Sequence, residues 1–589
     1  MRVPELLAPV GNYESLEAAL AGGADAVYLG GKELNMRVRR PGYNFTVEEL
    51  KEIIPFVKER GIKAYFTLNS LIHQEQLKTT SNLLEFLQEQ KVDGVIVQDL
   101  GVVKLARALT PKLPLHASTQ MNIHNGLGGR MLEKLGLKRV VLAREVNLRE
   151  IEHIRQQTSL ELEFFVFGSR CISYSGQCYL SSALGGGGGN QGFCSKPCRL
   201  PYSFTGAGDI DYYLSPKDTS LLAFLPQLIR AGISSFKIEG RMEDKAFLQE
   251  VIRQFRQAID SYCQGKKLEL VNQPGLTTGY LTGKPGREYF QLKEDQKKLG
   301  YRFQQPFTST FPIRALPVKY LEIPGSCQES SCQPLLAVWV KDLAGLESAQ
   351  DAQIFYLGGE HLRSWGERPT YWPKHQKILQ NLRRKGKKIY LALPNIAKEE
   401  ELAAWQVFLQ RLEQSQWDGL LVSSLGSLAL AKQETKLPLC LDQNLNIFNE
   451  KSLALLSEYG IERFCLHPEG EYSWLTDQPQ LGEAVIWGPY PGMILETCLL
   501  EAFLACAGKC PQDRVNLKFS NGRILRIETD LSCRNHVFLR KKINLLGEIP
   551  KLRKMGVQVL RIDGRWLKPK NIRTLIKSCQ EQLEGEGLA

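Results

Sequence analysis

The 589-residue chain contains no apolar run approaching the roughly 18 residues that a membrane-spanning helix needs. Its first residues, MRVPELLAPVGNYE, turn acidic too early for a secretory signal, so the sequence alone reads as cytoplasmic, with no membrane partner. It lacks the HExxH pair of a zinc protease and the GxSxG elbow of a serine hydrolase, and no single cysteine stands out beside a histidine. Nor is the chain poor in apolar residues: at 43% hydrophobic and 23% charged it can bury a large core, which excludes a disordered protein. Glycine (51), proline (28) and cysteine (14) are present in quantity. Lysine and arginine exceed aspartate and glutamate by 75 − 63 = 12, which permits a nucleic-acid partner without singling one out. The length suits roughly four domains of about 150 residues or two β/α barrels of about 250.

Short runs rich in Val, Ile, Phe and Tyr alternate with stretches of helical periodicity, the pattern of β/α units and a parallel sheet. Eight such runs precede residue 241: ELLAP, AVYLG, KAYFTL, GVIVQD, LPLHAS, RVVLA, LEFFVFG and SSFKIEG. The pattern then restarts, and it restarts as a repeat. DGVIVQDLGVVKLA (93–106) matches DGLLVSSLGSLALA (418–431), LPLHASTQMNIHN (113–125) matches LPLCLDQNLNIFN (437–449), and KIEGR (237–241) matches RIDGR (561–565), at offsets of 324 or 325 residues. The expectation is an α/β protein of two TIM-like barrels produced by internal duplication, with a doubly wound open sheet as the alternative. The expected boundaries are 1–264 for a barrel carrying a four-cysteine loop, 265–330 for a β-rich linker and 331–589 for a degenerate second barrel. Barrel chemistry gathers at C-terminal strand ends. The matched blocks place Asp99, Gln120, Asn122, Asn125, Glu145, Lys237, Glu239 and Arg241 there.

The loop after the seventh strand, FGSRCISYSGQCYLSSALGGGGGNQGFCSKPCRLPY (167–202), carries Cys171, Cys178, Cys194 and Cys198 with the spacing C-x6-C-x15-C-x3-C. Disulfides are rare in a reducing compartment, and inert buried cysteines seldom occupy a polar, glycine-rich loop. Thiolates are soft ligands for zinc or iron–sulfur clusters, and the glycines let the backbone close tightly around a site. Zinc knuckles favour two C-x2–4-C pairs, which fits only one half of this loop. In the second copy, Cys498 corresponds to Cys178, Cys506 and Cys510 repeat the C-x3-C step, and Cys533 is a possible fourth ligand; a degenerate remnant is the alternative. Cys263, Cys327, Cys332, Cys440, Cys465 and Cys579 read as packing residues.

The blocks ELLAPVGNYESLEAALAGGADAVYLGG (5–31), CISYSGQC (171–178), CSKPCR (194–199), SPKD (215–218) and KIEGRM (237–242) resemble the signatures of the collagenase-like peptidase family U32. The second copy is similar to the extra C-terminal region of longer members. The resemblance implies more than the peptidase label. Members with the four-cysteine loop are oxygen-independent hydroxylases holding a 4Fe-4S cluster, acting on the wobble uridine of transfer RNA, on a cytidine of large-subunit ribosomal RNA, or in ubiquinone synthesis. For the RNA types prephenate is the implied co-substrate. By this resemblance Cys171, Cys178, Cys194 and Cys198 are cluster ligands, RNA is the partner with ribosomal favoured over transfer, and an electron-transfer partner is implied. Two features depart from the family: Phe167 stands where a histidine is frequent, and Gln191 where an arginine is.

From the residues, Arg199, Lys237 and Arg241 are expected to bind an anion, with Gln120 and Asn122 as substrate contacts and Lys237, Glu239 and Arg241 as catalytic candidates. Tyr174 or Tyr179 could stack on an unstacked base. The other expectations are a collagenase-like peptidase, or an iron–sulfur scaffold in which the duplicated domain is a docking surface.

Overall fold

The structure is a computed structural model that describes residues 3–184, 187–205, 209–266, 273, 275–295, 333–360, 362, 376–412, 414–477, 481–504, 506, 515–519 and 522–584. The first eight parallel strands are β1 (Glu5–Pro9), β2 (Ala26–Leu29), β3 (Lys63–Leu68), β4 (Gly94–Val97), β5 (Leu115–Ala117), β6 (Arg139–Val141), β7 (Glu161–Gly168) and β11 (Ile233–Ile238). They run in the order β7-β11-β1-β2-β3-β4-β5-β6, and β7 also pairs with β6, so the sheet is a closed barrel. An open doubly wound sheet is excluded by that last pairing. The helices between strands begin where the sequence places caps: Thr46 and Glu49 form a reciprocal capping box at Val47–Lys58, and Asn147 and Glu150 form another at Leu148–Gln157.

The second copy repeats the plan. Strands β12 (Leu335–Val340), β13 (Ile354–Gly358), β14 (Lys388–Ala392), β15 (Gly419–Val422), β16 (Leu439–Leu441), β17 (Ile461–Cys465), β18 (Gly482–Leu495) and β22 (Val559–Asp563) close through β17–β18 into a second eight-stranded parallel barrel.

Each barrel interior holds a charge network among aromatic rings. In the first, the Arg139 guanidinium donates to Glu5 (2.6 Å) and Glu163 (3.1 Å), and the Lys237 ammonium donates to Glu163 (2.8 Å). In the second, Arg463 and Arg561 both donate to Glu483, and Arg561 also reaches Asp442 (2.7 Å). A lumen side chain that carries charge has no water to pair with, so each of these ions is matched by a counter-ion from another strand.

The two barrels pack about a local two-fold relation. Helix Leu100–Leu109 lies on Glu450–Ser457, and helix Gly126–Lys134 lies on Leu425–Glu434, so the fourth helix of each copy meets the fifth of the other. The Asn449 amide donates to the Ile72 carbonyl (2.8 Å), and the matching Asn125 amide donates to the Ala397 carbonyl (2.9 Å).

A second tie is a sheet that both copies build. Past the barrel, β18 pairs antiparallel with β21 (Asn535–Asn544), which pairs with β20 (Ile524–Thr529) and then β19 (Asn516–Phe519). β19 pairs with β8 (Tyr202–Phe204), which follows the four-cysteine loop of the first copy, and β8 with β9 (Ile210–Asp211), while the short β10 (Thr219–Ser220) pairs antiparallel with β7. Of the expected linker, 275–295 folds back on the first copy through bridges Thr219–Thr277 and Pro216–Phe290 and contains one short 3-10 turn, Arg287–Tyr289, with no strand among its described residues. Residues 296–330 lie outside the described residues.

A candidate active site between the first barrel mouth and the four-cysteine loop

The C-terminal ends of the first barrel's strands enclose a cavity of about 70 Å³. Arg37, Arg144, Lys237 and Arg241 line it against a single carboxylate, Glu239, and Tyr28, Thr67, Asn69, Gln120 and Phe165 complete the wall. Arg37 bonds Glu239 at 2.6 Å and Arg144 approaches the same carboxylate at 3.6 Å. Burial opposes charge on Glu239, but Arg37 and Arg144 outweigh it and hold its pKa below the usual carboxylate value. The Arg241 guanidinium donates to the Tyr43 carbonyl and to Asn44 Oδ1, both at 2.7 Å, while its Nε has no partner. Burial lowers the Arg241 pKa to about 10, which still leaves it charged at neutral pH. With Lys237 neutralised by Glu163 below and Glu239 by one arginine, two guanidinium charges remain over the mouth, which suits an anionic small molecule held bidentately.

The sequence-derived residues divide. Gln120, Lys237, Glu239 and Arg241 line the mouth. Asn122 does not: it has a left-handed backbone (φ 57) and its buried amide, unpartnered, borders a separate cavity between the barrels. Arg199 is not among the lining residues either; its guanidinium donates to Ser215 Oγ (2.7 Å), the Pro216 carbonyl (2.5 Å) and the Arg170 carbonyl (2.9 Å), pinning the SPKD segment beneath the loop. Asp99 and Asn125 cap helices at the interface between the copies. Arg37 and Arg144 were not singled out from sequence. The signals were there, in the basic run MRVRR (36–40) and in the LARE block, where Pro468 replaces Arg144 in the second copy.

The four-cysteine loop folds against this mouth. Cys171, Cys178 and Cys198 are half-buried and Cys194 is exposed. Burial raises the Cys171 and Cys178 thiols and pushes Cys198 up to about 12, and each is raised further by other members of the set: Cys178 by Cys171, Cys194 and Cys198. Cys171, Cys178 and Cys198 therefore hold their protons unless a positive charge is added beside them. The Lys196 amide points at Cys194 Sγ (3.4 Å), as amides do toward cluster ligands. Gly176 (φ 78) and Gly192 (φ 86) allow the tight path: a Cβ on them would stand 2.1 Å from the Gln120 carbonyl and 2.3 Å from the Asn35 carbonyl. Among the described residues no three ligand-type side chains converge on one ion position. Cys171 also interacts with Arg144 and Cys194 with Arg37, which places the thiols beside the two arginines of the mouth.

On its other side the loop touches the second barrel. The Tyr174 amide donates to the Ile494 carbonyl (2.9 Å), the Tyr179 amide to the Gly492 carbonyl (2.7 Å), and Tyr174 Oη donates to Glu496 (2.5 Å). Both tyrosines are buried, so neither is free to stack on a base in the first mouth; Tyr179 instead packs on His467 and borders the second mouth. Phe167 packs on Phe247 and Phe255, away from the mouth, and the Gln191 amide donates to the Glu469 carbonyl (3.4 Å). In the second set, Cys498 is buried and interacts with Cys533, Cys506 is half-buried, and Cys510 lies outside the described residues. Cys440, Cys465 and Cys579 are packing residues as expected, but Cys263 is exposed at the end of helix Lys245–Cys263; Cys327 and Cys332 lie outside the described residues.

These features define a class: a duplicated β/α-barrel protein whose first mouth is walled by arginines and flanked by a four-thiol loop. The chain belongs to peptidase family U32, whose model matches residues 11–291 and 347–585. It is 35% identical over 322 residues to a tRNA hydroxylation protein of Bacillus subtilis, a match covering 51% of this chain and 76% of that one. It is 38% identical over 262 residues to the 23S rRNA 5-hydroxycytidine synthase of Escherichia coli, covering 44% of this chain but only 39% of that one. A collagenase of Porphyromonas gingivalis is 32% identical over 308 residues, with 47% and 73% covered.

Proposed function

We propose that the chain is an oxygen-independent RNA hydroxylase that holds a 4Fe-4S cluster on Cys171, Cys178, Cys194 and Cys198 and hydroxylates a base at the first barrel mouth. The observation that carries this reading is the packing of the four-cysteine loop on the mouth walled by Arg37 and Arg144, with Gly176 against the Gln120 carbonyl and Gly192 against the Asn35 carbonyl. Relatives named for tRNA hydroxylation and for 5-hydroxycytidine synthesis in 23S rRNA support it.

When bound, the cluster supplies one-electron chemistry that the side chains cannot, fed by an electron-transfer partner. Arg37, Arg144 and Arg241 bind a dicarboxylate co-substrate, prephenate in the favoured case, and Glu239 fixes the rake of the first two guanidiniums. Lys237 is held by Glu163 and sits over the Tyr28 ring (4.5 Å), so it sets the field beneath the substrate. Gln120, Thr67 and Asn69 offer the neutral donors and acceptors that read a base edge. The base must leave its stack to reach a barrel mouth. Ribosomal RNA is favoured over transfer RNA because the chain carries the second barrel of the longer architecture.

Anaerobic purification with iron, sulfide and absorption analysis tests the cluster, and mass spectrometry of total RNA from a deletion strain tests the reaction. A brown protein and the loss of one hydroxylated nucleotide are expected; a colourless zinc protein rejects the cluster. Cys171→Ala and Cys194→Ala should abolish both colour and modification. Arg144→Ala should keep the colour and lower modification about 100-fold, the size of effect expected when a charged binding contact is lost at a reacting centre.

A further inference from the structure

The mouth of the second barrel is also a built cavity, of about 90 Å³. Three buried polar atoms in it have no partner: Arg561 Nη2, Asn395 Oδ1 and Gln443 Oε1. Arg561 is 1% exposed, held by Glu483 and Asp442 (2.7 Å), and Asn395 is 1% exposed, its amide donating to Gln177 Oε1 (2.8 Å). These side chains are fixed by their other bonds, so the unsatisfied atoms keep their direction.

Two indoles flank the polar atoms. Trp339 is covered by the Arg565 guanidinium at 3.5 Å, and Trp566 donates to Asp563 Oδ2 (3.2 Å). Arg565 is itself clamped by both Asp563 oxygens (2.7 and 2.8 Å). The lining carboxylates Glu360, Asp442 and Asp563 outnumber the guanidiniums Arg561 and Arg565, in contrast to the excess of guanidinium over the first mouth. A cavity with no cation to spare, one fixed donor in Arg561 Nη2, one fixed acceptor in Asn395 Oδ1 and a second acceptor in Gln443 Oε1 matches an uncharged ligand carrying both kinds of hydrogen-bonding group, as a nucleobase does. The RIDGR block that builds it descends from the same duplication as KIEGR in the first mouth, with Asp563 in the place of Glu239. Its wall is completed by Gln177 and Tyr179, the residues on either side of Cys178, so the cysteine loop borders the second mouth.

We infer that the second mouth is a binding pocket for an unstacked nucleobase, which grips a second nucleotide of the RNA whose base enters the first. The inference rests on the RNA reading of the first mouth. Its physical advantage is that two weak base contacts on one strand multiply, because the second forms at high local concentration.

The test uses the full chain, purified anaerobically, with a single-stranded RNA carrying 4-thiouridine. Photocrosslinking followed by peptide mass spectrometry should place adducts on the segments containing Trp339 or Trp566. Asn395→Ala and Gln443→Ala should each weaken binding of the labelled RNA about tenfold in fluorescence anisotropy without lowering the melting temperature. Crosslinks confined to other surfaces, or affinities within about twofold of the parent, would overturn the inference. If a variant melts early, the crosslink on the parent chain decides alone. The two readings fail separately: hydroxylated RNA with a silent second mouth rejects only this inference. Unmodified RNA rejects the hydroxylase reading, while quenching of tryptophan fluorescence by free cytidine or uridine in the parent chain, lost in Asn395→Ala, would still establish the pocket.

Discussion

Glu145, beside the mouth arginine Arg144, is completely buried, and neither of its carboxylate oxygens has a hydrogen-bond partner. Burial raises its pKa to about 7 even though Arg170 and Arg144 pull it down. The folded protein therefore keeps a proton on Glu145 that the unfolded chain releases at its ordinary value of 4.5. Stability from this group is fully present below that value and is lost as pH rises through 7, by about 3 kcal/mol in all. Glu145→Gln should flatten the fall in apparent melting temperature between pH 5 and 8, read by scanning calorimetry; an unchanged slope would assign the carboxylate a partner. Glu163 shows the opposite situation, a buried carboxylate shared by Arg139 and Lys237. Glu163→Gln takes the counter-ion from Lys237, while Arg139 keeps Glu5 and Glu161, and should destabilise the protein by about 3–5 kcal/mol in chemical denaturation. From sequence, Lys237 read as an anion ligand and catalytic candidate at a strand end. That its charge is consumed by Glu163 depends on β7 and β11 being neighbours, which no local pattern encodes.

The helices that join the two copies make a sharper point about small residues. Gly101 and Gly426, 325 residues apart, each face the capping asparagine of the other copy: a Cβ would lie 2.2 Å from Asn449 Oδ1 and 2.6 Å from Asn125 Oδ1. Alanine in a helix is otherwise favoured over glycine by about 1 kcal/mol. Here Gly101→Ala and Gly426→Ala should destabilise by about 1–3 kcal/mol, because the asparagines are held by Ile72 and Ala397 and cannot yield without losing those bonds. Thermal melting decides the sign, and a stabilised variant would mean the interface is looser than drawn. Helix positions were legible, since caps and periodicity are local. The reason for the glycines was not legible, since it lies in a partner helix more than 300 positions away. The cysteine loop was legible in its ligand types and glycines, but its contact with Gly492 and Ile494 was not.

The copies are not independent beads. The sheet running from β18 through β19 to β8 and the bridge of Cys178 to Met493 make the second copy part of the four-thiol loop's wall. Residues 1–266 expressed alone should therefore fail to incorporate iron and should aggregate through the exposed edge of β8 and the uncovered helices Leu100–Leu109 and Gly126–Lys134. Iron analysis and gel filtration check this, and a monodisperse, brown fragment would refute it.

Composition, periodicity and the 324-residue repeat were enough by themselves to establish a duplicated α/β protein with eight strands per copy and a thiol-rich loop, because hydrophobic period and cysteine spacing are properties of neighbouring residues. Closure of the barrels, the pairing of Lys237 with Glu163, the recruitment of Arg37 and Arg144, and the second mouth with its unpartnered Arg561 and Asn395 were decided only in three dimensions. Each depends on which distant strands and loops come into contact, and buried charges and amides take their roles from those neighbours.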